Sequence, residues 1–472
     1  MSEIQNLSRR FFIRNVGLAS GGLILGCNYN LLANDVAEGS LTEFNPNLFV
    51  QLNSDGSLII VASRSEMGNG VRTSLTSVVA DEMEADWNKV SVKQAVGDVK
   101  YGDQNTDGSR SIVGFYETMR KMGAMTRMML ISAAAKKWQV AESECIAQNH
   151  FIIHSSGKKI GFGELVDVVT TLPVPTTITY KNPKDFKYIG KNLKSIDVKD
   201  FANGSAVFGI DKRLSNMKVA VIARCPVTFG TVKSFDKTAA MKIKGVEDVI
   251  EIPRIEKPFG PLGGVAVIAS NTWAAIKGRE ALGIKWNYGK NEGYDSEKYM
   301  IELTERVHTN GKVEKEIGDV NKAFGEASKV VESTFQLPHL AHAPMEVPNA
   351  VAWVQGDSCE VWAPTQSPQD ARNEVAAYLG TPIDKVTVNI PFLGGGFGRK
   401  SKPDFIVEAA MISKAINAPV QVVWTREDDI KHGYYHTESA QYMKASLYAR
   451  GNVTSWLHRS AFPSIMATFQ PG

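Results

Sequence analysis

Residues 391–400, PFLGGGFGRK, hold four of the chain's 40 glycines, Gly394, Gly395, Gly396 and Gly398, around Phe397, and end in Arg399 and Lys400. Glycines crowded this way let backbone N–H groups face an anion or an oxo group, with Phe397 as a wall and a cation beside it. They would serve equally well for a tight strand-to-helix bend. Two nucleotide templates fail here. The phosphate loop G-x-x-x-x-G-K-S/T needs Gly where Arg399 stands, and G-x-G-x-x-G meets Arg399 or Ser401 at its last position.

Three other stretches offer related chemistry. Gln366, in Ala363-Pro364-Thr365-Gln366-Ser367, follows a predicted strand, and its amide can donate to an oxo ligand while the protein holds its carbonyl. Taken alone it reads as a surface amide. Glu66-Met67-Gly68-Asn69-Gly70-Val71-Arg72-Thr73 lies between a strand and a helix, where free N–H groups suit an anion or cofactor, or simply a loop and cap. Gly108-Ser109-Arg110-Ser111 is a hydroxyl-rich turn able to donate to phosphate, or an ordinary turn. No G-x-S-x-G elbow supports a serine hydrolase. Cys27, Cys145, Cys225 and Cys359 form no C-x-x-C pair, which argues against a zinc ribbon or a locally held iron–sulfur cluster and reads as reduced, buried thiols.

The elements that must position these residues follow from periodicity. A hairpin is expected over residues 49–62 with a turn at 53–56, then helices over 73–84 and 116–138. Residues 172–188 read as an extended connector. Buried strands at 218–223 and 264–269 with a helix from Asn271 mark a small α+β domain. Strands at 350–354, 359–362 and 385–390 flank a helix over 369–379, so the glycine loop hangs from a strand end. A chain of 472 residues with 43% hydrophobic content implies several cores, and a net charge of +3 speaks against nucleic acid as a partner.

At the N-terminus, Ser8-Arg9-Arg10-Phe11-Phe12-Ile13-Arg14 precedes a short apolar run and resembles a twin-arginine export signal. Residues 1–33 are therefore read as a signal region. The expected location is the periplasm, reached through the twin-arginine machinery, with membrane anchorage through the N-terminus or lipidation of Cys27 left open.

Together the motifs resemble the molybdenum-binding large subunits of the xanthine oxidase and aldehyde oxidase superfamily, in the isoquinoline 1-oxidoreductase branch. Thr365-Gln366-Ser367 and Gly394 to Gly398 resemble its T-Q-S and G-G-G-F-G motifs, and Glu66 to Gly70 resembles E-M-G-Q-G. Residues 337–346 and Val423-Trp424-Thr425-Arg426-Glu427-Asp428-Asp429 match further family markers; His342 and Glu346 read as interior polar groups and 426–429 as a capping turn. Asn69 departs from the family's Gln by one methylene, and His436 from its Arg.

The resemblance implies an α+β fold: a molybdenum-cofactor-binding segment over 40–165, an α/β hammerhead domain over 201–290, and an incomplete molybdopterin-binding domain over 295–472. It implies a molybdenum–molybdopterin cytosine dinucleotide contacted by Met67, Gly68, Asn69, Gly70, Ser109, Ser111, Gln366, Gly395, Gly396, Phe397, Gly398 and Arg399, with no side chain bound to the metal. Substrates would be N-heterocyclic aromatics or aldehydes, water the oxygen source, and a small 2Fe–2S partner subunit the electron exit. The family's general-base glutamate, in a G-x-G-E context, has no counterpart here. The chain is therefore expected to be the N-terminal part of such a subunit and inactive alone; a non-catalytic cofactor-binding or partner-binding remnant is the alternative.

Overall fold

Apolar and polar residues alternate in Val50–Asn53, and although Leu58–Ala62 is apolar throughout, burial alternates along both strands, so Val50, Leu52, Leu58, Ile60 and Ala62 are buried together, as strand periodicity requires. A computed structural model of the chain describes residues 43–464; the expected signal region and Cys27 lie outside them. The two strands pair antiparallel across the predicted turn, where the Gly56 N–H donates to Asn53 O at 2.9 Å. Glu43–Asn47 and a parallel strand, Val90–Gln94, complete a four-stranded sheet.

Helices Val71–Met83 and Arg110–Trp138 share that sheet's core through Leu75, Val79, Met83, Met119, Met129 and Ala133. They touch at Gly123, where a Cβ would lie 2.5 Å from Val79 O. The second helix starts before residue 116. Its first turns contain Ser111 and Gly114, poor helix formers, while Ile112 and Val113 are exposed, so no buried stripe announces them. The connector over 172–188 holds only the short 3-10 turn Pro183–Asp185. It is fastened by charge: buried Asp81 accepts N–H groups of Lys187, Tyr188 and Ile189 at 2.8–3.0 Å and the Lys181 ammonium at 2.6 Å.

The described residues pack as two units, those up to 219 with 348–423 and those over 220–347 with the residues from 424 on. The stretch expected as one segment over 295–472 is thus shared between them. In the first unit Asn349–Gln355 pairs antiparallel with both Ser358–Trp362 and Val420–Val423. Ser358–Trp362 crosses through helix Pro368–Leu379 to a parallel neighbour, Val386–Asn389, forming a βαβ turn. Its consequence is positional. Gln366 follows one parallel strand and the glycine loop follows the next, so the two leave the same end of the sheet.

The second unit is also α+β. Val246–Ile252 and Gly264–Ala269 pair antiparallel, and Asn271 caps helix Thr272–Glu280 by accepting the Ala274 N–H at 2.9 Å. Lys329–Leu337, Ser439–Leu447 and Val453–Ala461 form a second sheet, onto which helix Ser296–Val307 packs Leu303 and Val307. The run from 424 to 429 is a capping turn: Thr425 and Asp428 cap helix Arg426–His432 reciprocally, and Asp428 pairs with Arg279 at 2.6 Å. His342 Nδ1 bonds Tyr434 O at 2.7 Å and its ring stacks on exposed His436 at 4.3 Å.

Cys145, Cys225 and Cys359 are free, buried thiols, and burial pushes Cys359 up to about 12. Burial, with Arg224 adding to it and Asp428 opposing, lowers the pKa of His432 from 6.5 to about 4; Lys431 and Arg279 also face it and lower it further. Between those values the unfolded chain binds a proton that the folded chain refuses, so stability falls as pH drops through that window. His432→Gln should flatten this limb of a urea-stability profile; the wild-type slope persisting in the variant would show that other groups cause it. Among the described residues, no helix is long and apolar enough to cross a membrane.

Candidate cofactor site

Four loops of the first unit meet at the carboxyl ends of the strands. Leu393 N–H donates to Glu66 O at 3.0 Å, joining the glycine loop to the 66–70 loop. Ser65 N–H donates to Thr106 Oγ1 at 3.0 Å and Ser65 Oγ to Thr365 O at 2.8 Å. Thr106 N–H donates to Gln366 O, and Gln366 N–H to Lys400 O, both at 2.9 Å. Motifs hundreds of residues apart in sequence thus form one hydrogen-bonded cluster.

Gln366 is its hub. The side chain is 2% exposed; Oε1 accepts the Gly398 N–H at 2.9 Å and Nε2 donates to Thr106 O at 2.7 Å. Its carbonyl is held as expected, and one of its two N–H donors is already engaged. A Cβ on Gly396 would overlap this amide, at 2.8 Å from Cδ, so only glycine fits there. Gly395 and Gly398 take φ of 87° and 95°. Phe397 takes φ 54°, a left-handed conformation unusual for an aromatic residue, and stands 62% exposed at the loop tip.

Arg399 corrects one expectation. Its guanidinium does not face an anion in the loop; it turns inward and pairs through both Nη atoms with Asp404 at 2.8 Å, each partner 1% exposed. A buried guanidinium needs a buried carboxylate, and Asp404 opens helix Asp404–Ile416, where a negative charge is also favoured by the helix dipole. Lys400 is likewise fully buried.

The 66–70 loop corrects another. Three of the N–H groups that could have met an external anion are taken by Glu66 itself: Oε1 accepts from Gly68 and Gly70 at 2.9 Å and Oε2 from Arg72 at 3.1 Å. Asn69 Oδ1 faces the Val71 N–H at 3.4 Å, which ties it to the loop rather than extending it outward. Met67 is half-buried, Gly68 and Asn69 are exposed, and a Cβ on Gly68 or Gly70 would meet nothing within 4 Å. The outer side of this loop is open.

Ser109, at φ 57°, precedes helix Arg110–Trp138 and makes no side-chain cap; Ser111 lies half-buried in the first turn, which holds no acidic residue. Ser109 ends the loop that runs through Thr106 and Ser111 belongs to the helix that follows; in the same loop Asn105 Oδ1 accepts Ser401 Oγ–H at 3.3 Å.

Two features are not announced by the motifs. A cleft of about 390 Å³ opens beside Glu66, lined among others by Arg72, Lys212, Trp362, Asn389 and Phe392. In it Arg72 stacks on Phe392 at 5.1 Å and bonds Asp197, while Lys212 lies 4.6 Å above the Trp362 ring. The other is Arg64, 1% exposed next to the 66–70 loop. A cation between two serines just before a glycine-bearing loop was the available signal for it. Among the described residues, no group of three His, Cys, Asp or Glu side chains could hold a metal ion.

The chain is similar to known proteins along most of its length. Residues 3–219 and 303–461 each match a molybdopterin cofactor-binding domain. The chain is 28% identical to the isoquinoline 1-oxidoreductase subunit beta of Brevundimonas diminuta, over 99% of its own length and 67% of the relative's. It is 29% identical to a membrane-bound aldehyde dehydrogenase (pyrroloquinoline-quinone) of Gluconacetobacter polyoxogenes, over 97% of this chain and 61% of that one. Among solved structures it aligns with quinoline 2-oxidoreductase from Pseudomonas putida 86 at 19% identity and TM-score 0.44, covering 56% of this chain and 38% of that one.

Proposed function

Because this chain belongs to the molybdopterin cofactor-binding family of xanthine oxidase-type molybdenum subunits, we propose that its loop cluster walls the molybdenum–molybdopterin site of a hydroxylase for N-heterocyclic aromatics or aldehydes. The observation that carries this reading is the buried Gln366 amide, which locks the loop bearing exposed Phe397 to the loop leading to Ser109. The residues present fit such a group. Phe397 offers an exposed aromatic wall held in a strained conformation, the Gly68–Gly70 side is open, and buried Arg64 keeps unpartnered donors nearby.

The cofactor, when bound, would supply the two-electron oxidation with water as oxygen source. The chain's part is orientation and exclusion. Gln366 fixes the loop spacing, Gly396 permits its close approach, Phe397 shields one side from water, and Gly68 to Gly70 would contact the organic part. Ser109 and Ser111 would meet its phosphate end. The proposal includes a cytosine dinucleotide form, a small 2Fe–2S partner taking the electrons, and twin-arginine export to the periplasm, the last supported by Ser8-Arg9-Arg10. Proton abstraction requires a free base, whereas Glu66 is engaged by three N–H groups. Since Glu66 is taken and no glutamate in a G-x-G-E context occurs among these 472 residues, the proposal has the chain alone not turning over; a cofactor-holding but non-catalytic chain is the second reading.

Metal and pterin analysis of the chain co-expressed with its small subunit tests the reading. Molybdenum with a cytosine-bearing pterin is expected, whereas a folded complex devoid of both, or one releasing a quinone cofactor instead, would refute it. Phe397→Gly gives a sharper outcome. Removing the left-handed strain should stabilise the chain by about 1 kcal/mol while cofactor retention falls several-fold. Lower stability on urea titration would mean that the aromatic ring is there for packing.

A further inference from the structure

Arg64 is among the most thoroughly buried cations of the chain, yet its guanidinium is barely paired. Nη2 reaches Asp103 Oδ2 at 3.5 Å, a carboxylate that is itself half exposed and shared with Arg110 at 3.6 Å. Nε and Nη1 have no hydrogen-bond partner. Enclosing a guanidinium without filling its donors is costly, and burial depresses its pKa, with Asp103 opposing. The Phe115 ring, 4.9 Å from the guanidinium carbon, forms a floor, and Nη2 lies 4.0 Å from where a Cβ of Gly114 would be.

Gly114 and Phe115 follow Ser111 by three and four residues, so Arg64 is directed at the helix face that carries Ser111. That helix begins at Ser109 without a side-chain cap or an acidic first turn, and its amino end carries partial positive charge. Asp107 is bonded to Arg110 and Asn105, so the two local carboxylates are balanced by two arginines. The helix end leaves a net positive field beside unfilled N–H donors.

We propose that Arg64 is a binding residue for a phosphate-type oxyanion, which its Nε and Nη1 would clasp together with the first turn of helix Arg110–Trp138. This rests on the molybdopterin reading for the identity of the natural ligand, a phosphorylated pterin, but the oxyanion chemistry stands apart from it. Arg64 thereby adds an anchor beyond the glycine loop and the two serines.

Two measurements on the full chain test it. In the cofactor-loaded complex, Arg64→Met should lower pterin retained after gel filtration about tenfold, and Arg64→Lys less, because an ammonium cannot fork two bonds to one oxyanion. In the cofactor-free chain, inorganic pyrophosphate should raise the melting temperature saturably, with a midpoint about tenfold weaker in Arg64→Lys. If Arg64→Met does not fold, the Lys variant decides. Wild-type retention together with a wild-type pyrophosphate midpoint in Arg64→Lys would overturn the proposal and leave Arg64 a structural cation. A wild-type complex without pterin would defeat the molybdopterin reading, while the pyrophosphate shift and its loss would still establish the oxyanion site.

Discussion

Gln366→Ala should lower the unfolding free energy of the chain by about 2–4 kcal/mol, because it strands the buried Thr106 carbonyl, worth about 1–3 kcal/mol when left unsatisfied, and the part-buried Gly398 N–H, worth about 1 kcal/mol. The Gly398 N–H loses its acceptor and Thr106 O loses a donor, and the glycine loop is no longer fixed to the loop before Ser109. Cofactor content should fall with it, to a small fraction of wild type. Gly396→Ala attacks the same contact from the other side, since its Cβ would overlap the Gln366 amide, and should reproduce the loss without removing any hydrogen-bonding group. Urea titration and pterin assay of both variants decide. If either keeps full stability and full pterin, the amide bridge is not what holds the loops together.

The second large effect belongs to Arg399 and Asp404. Either Arg399→Met or Asp404→Ala leaves one charge buried without its partner, which costs about 3–5 kcal/mol. The double variant Arg399→Met, Asp404→Leu should recover much of that, because the expense lies in the lone charge rather than in the lost attraction. Additive losses in the double-mutant cycle would contradict the pairing seen at 2.8 Å. The same cycle separates two roles for Arg399. A residue that only tethers the loop to helix Asp404–Ile416 would let the double variant keep its cofactor, whereas a residue that faced the cofactor would not.

Local chemistry made much of this legible. The apolar run Leu58–Ala62, the turn glycine at 56, the Asn271 cap and the strand before PFLGGGFGRK are short-range signals, and each element forms where its pattern indicates. The start of helix Arg110–Trp138 was hidden because its exposed first turns carry no periodic stripe. The directions of charged side chains were also hidden. Arg399 next to glycines suggests an outward cation until Asp404, five residues on, is seen to fold back on it, and Glu66 looks available until its oxygens are traced to three N–H groups of its own loop. Nor could spacing alone show that residues 348–423 return to the N-terminal segment. Such pairings are set by the tertiary fold, and only the resemblance of several motifs taken together pointed toward a shared site.

The loop cluster draws on residues 65–72, 105–111, 365–367 and 393–401. Contacts this distant in sequence close slowly and late. During synthesis the first two loops emerge long before the other two, and Gln366 has no Gly398 to hold until the ribosome has passed that codon. If the cluster holds a cofactor as proposed, loading follows translation through residue 401, and whatever delivers the cofactor meets loops that have already found one another.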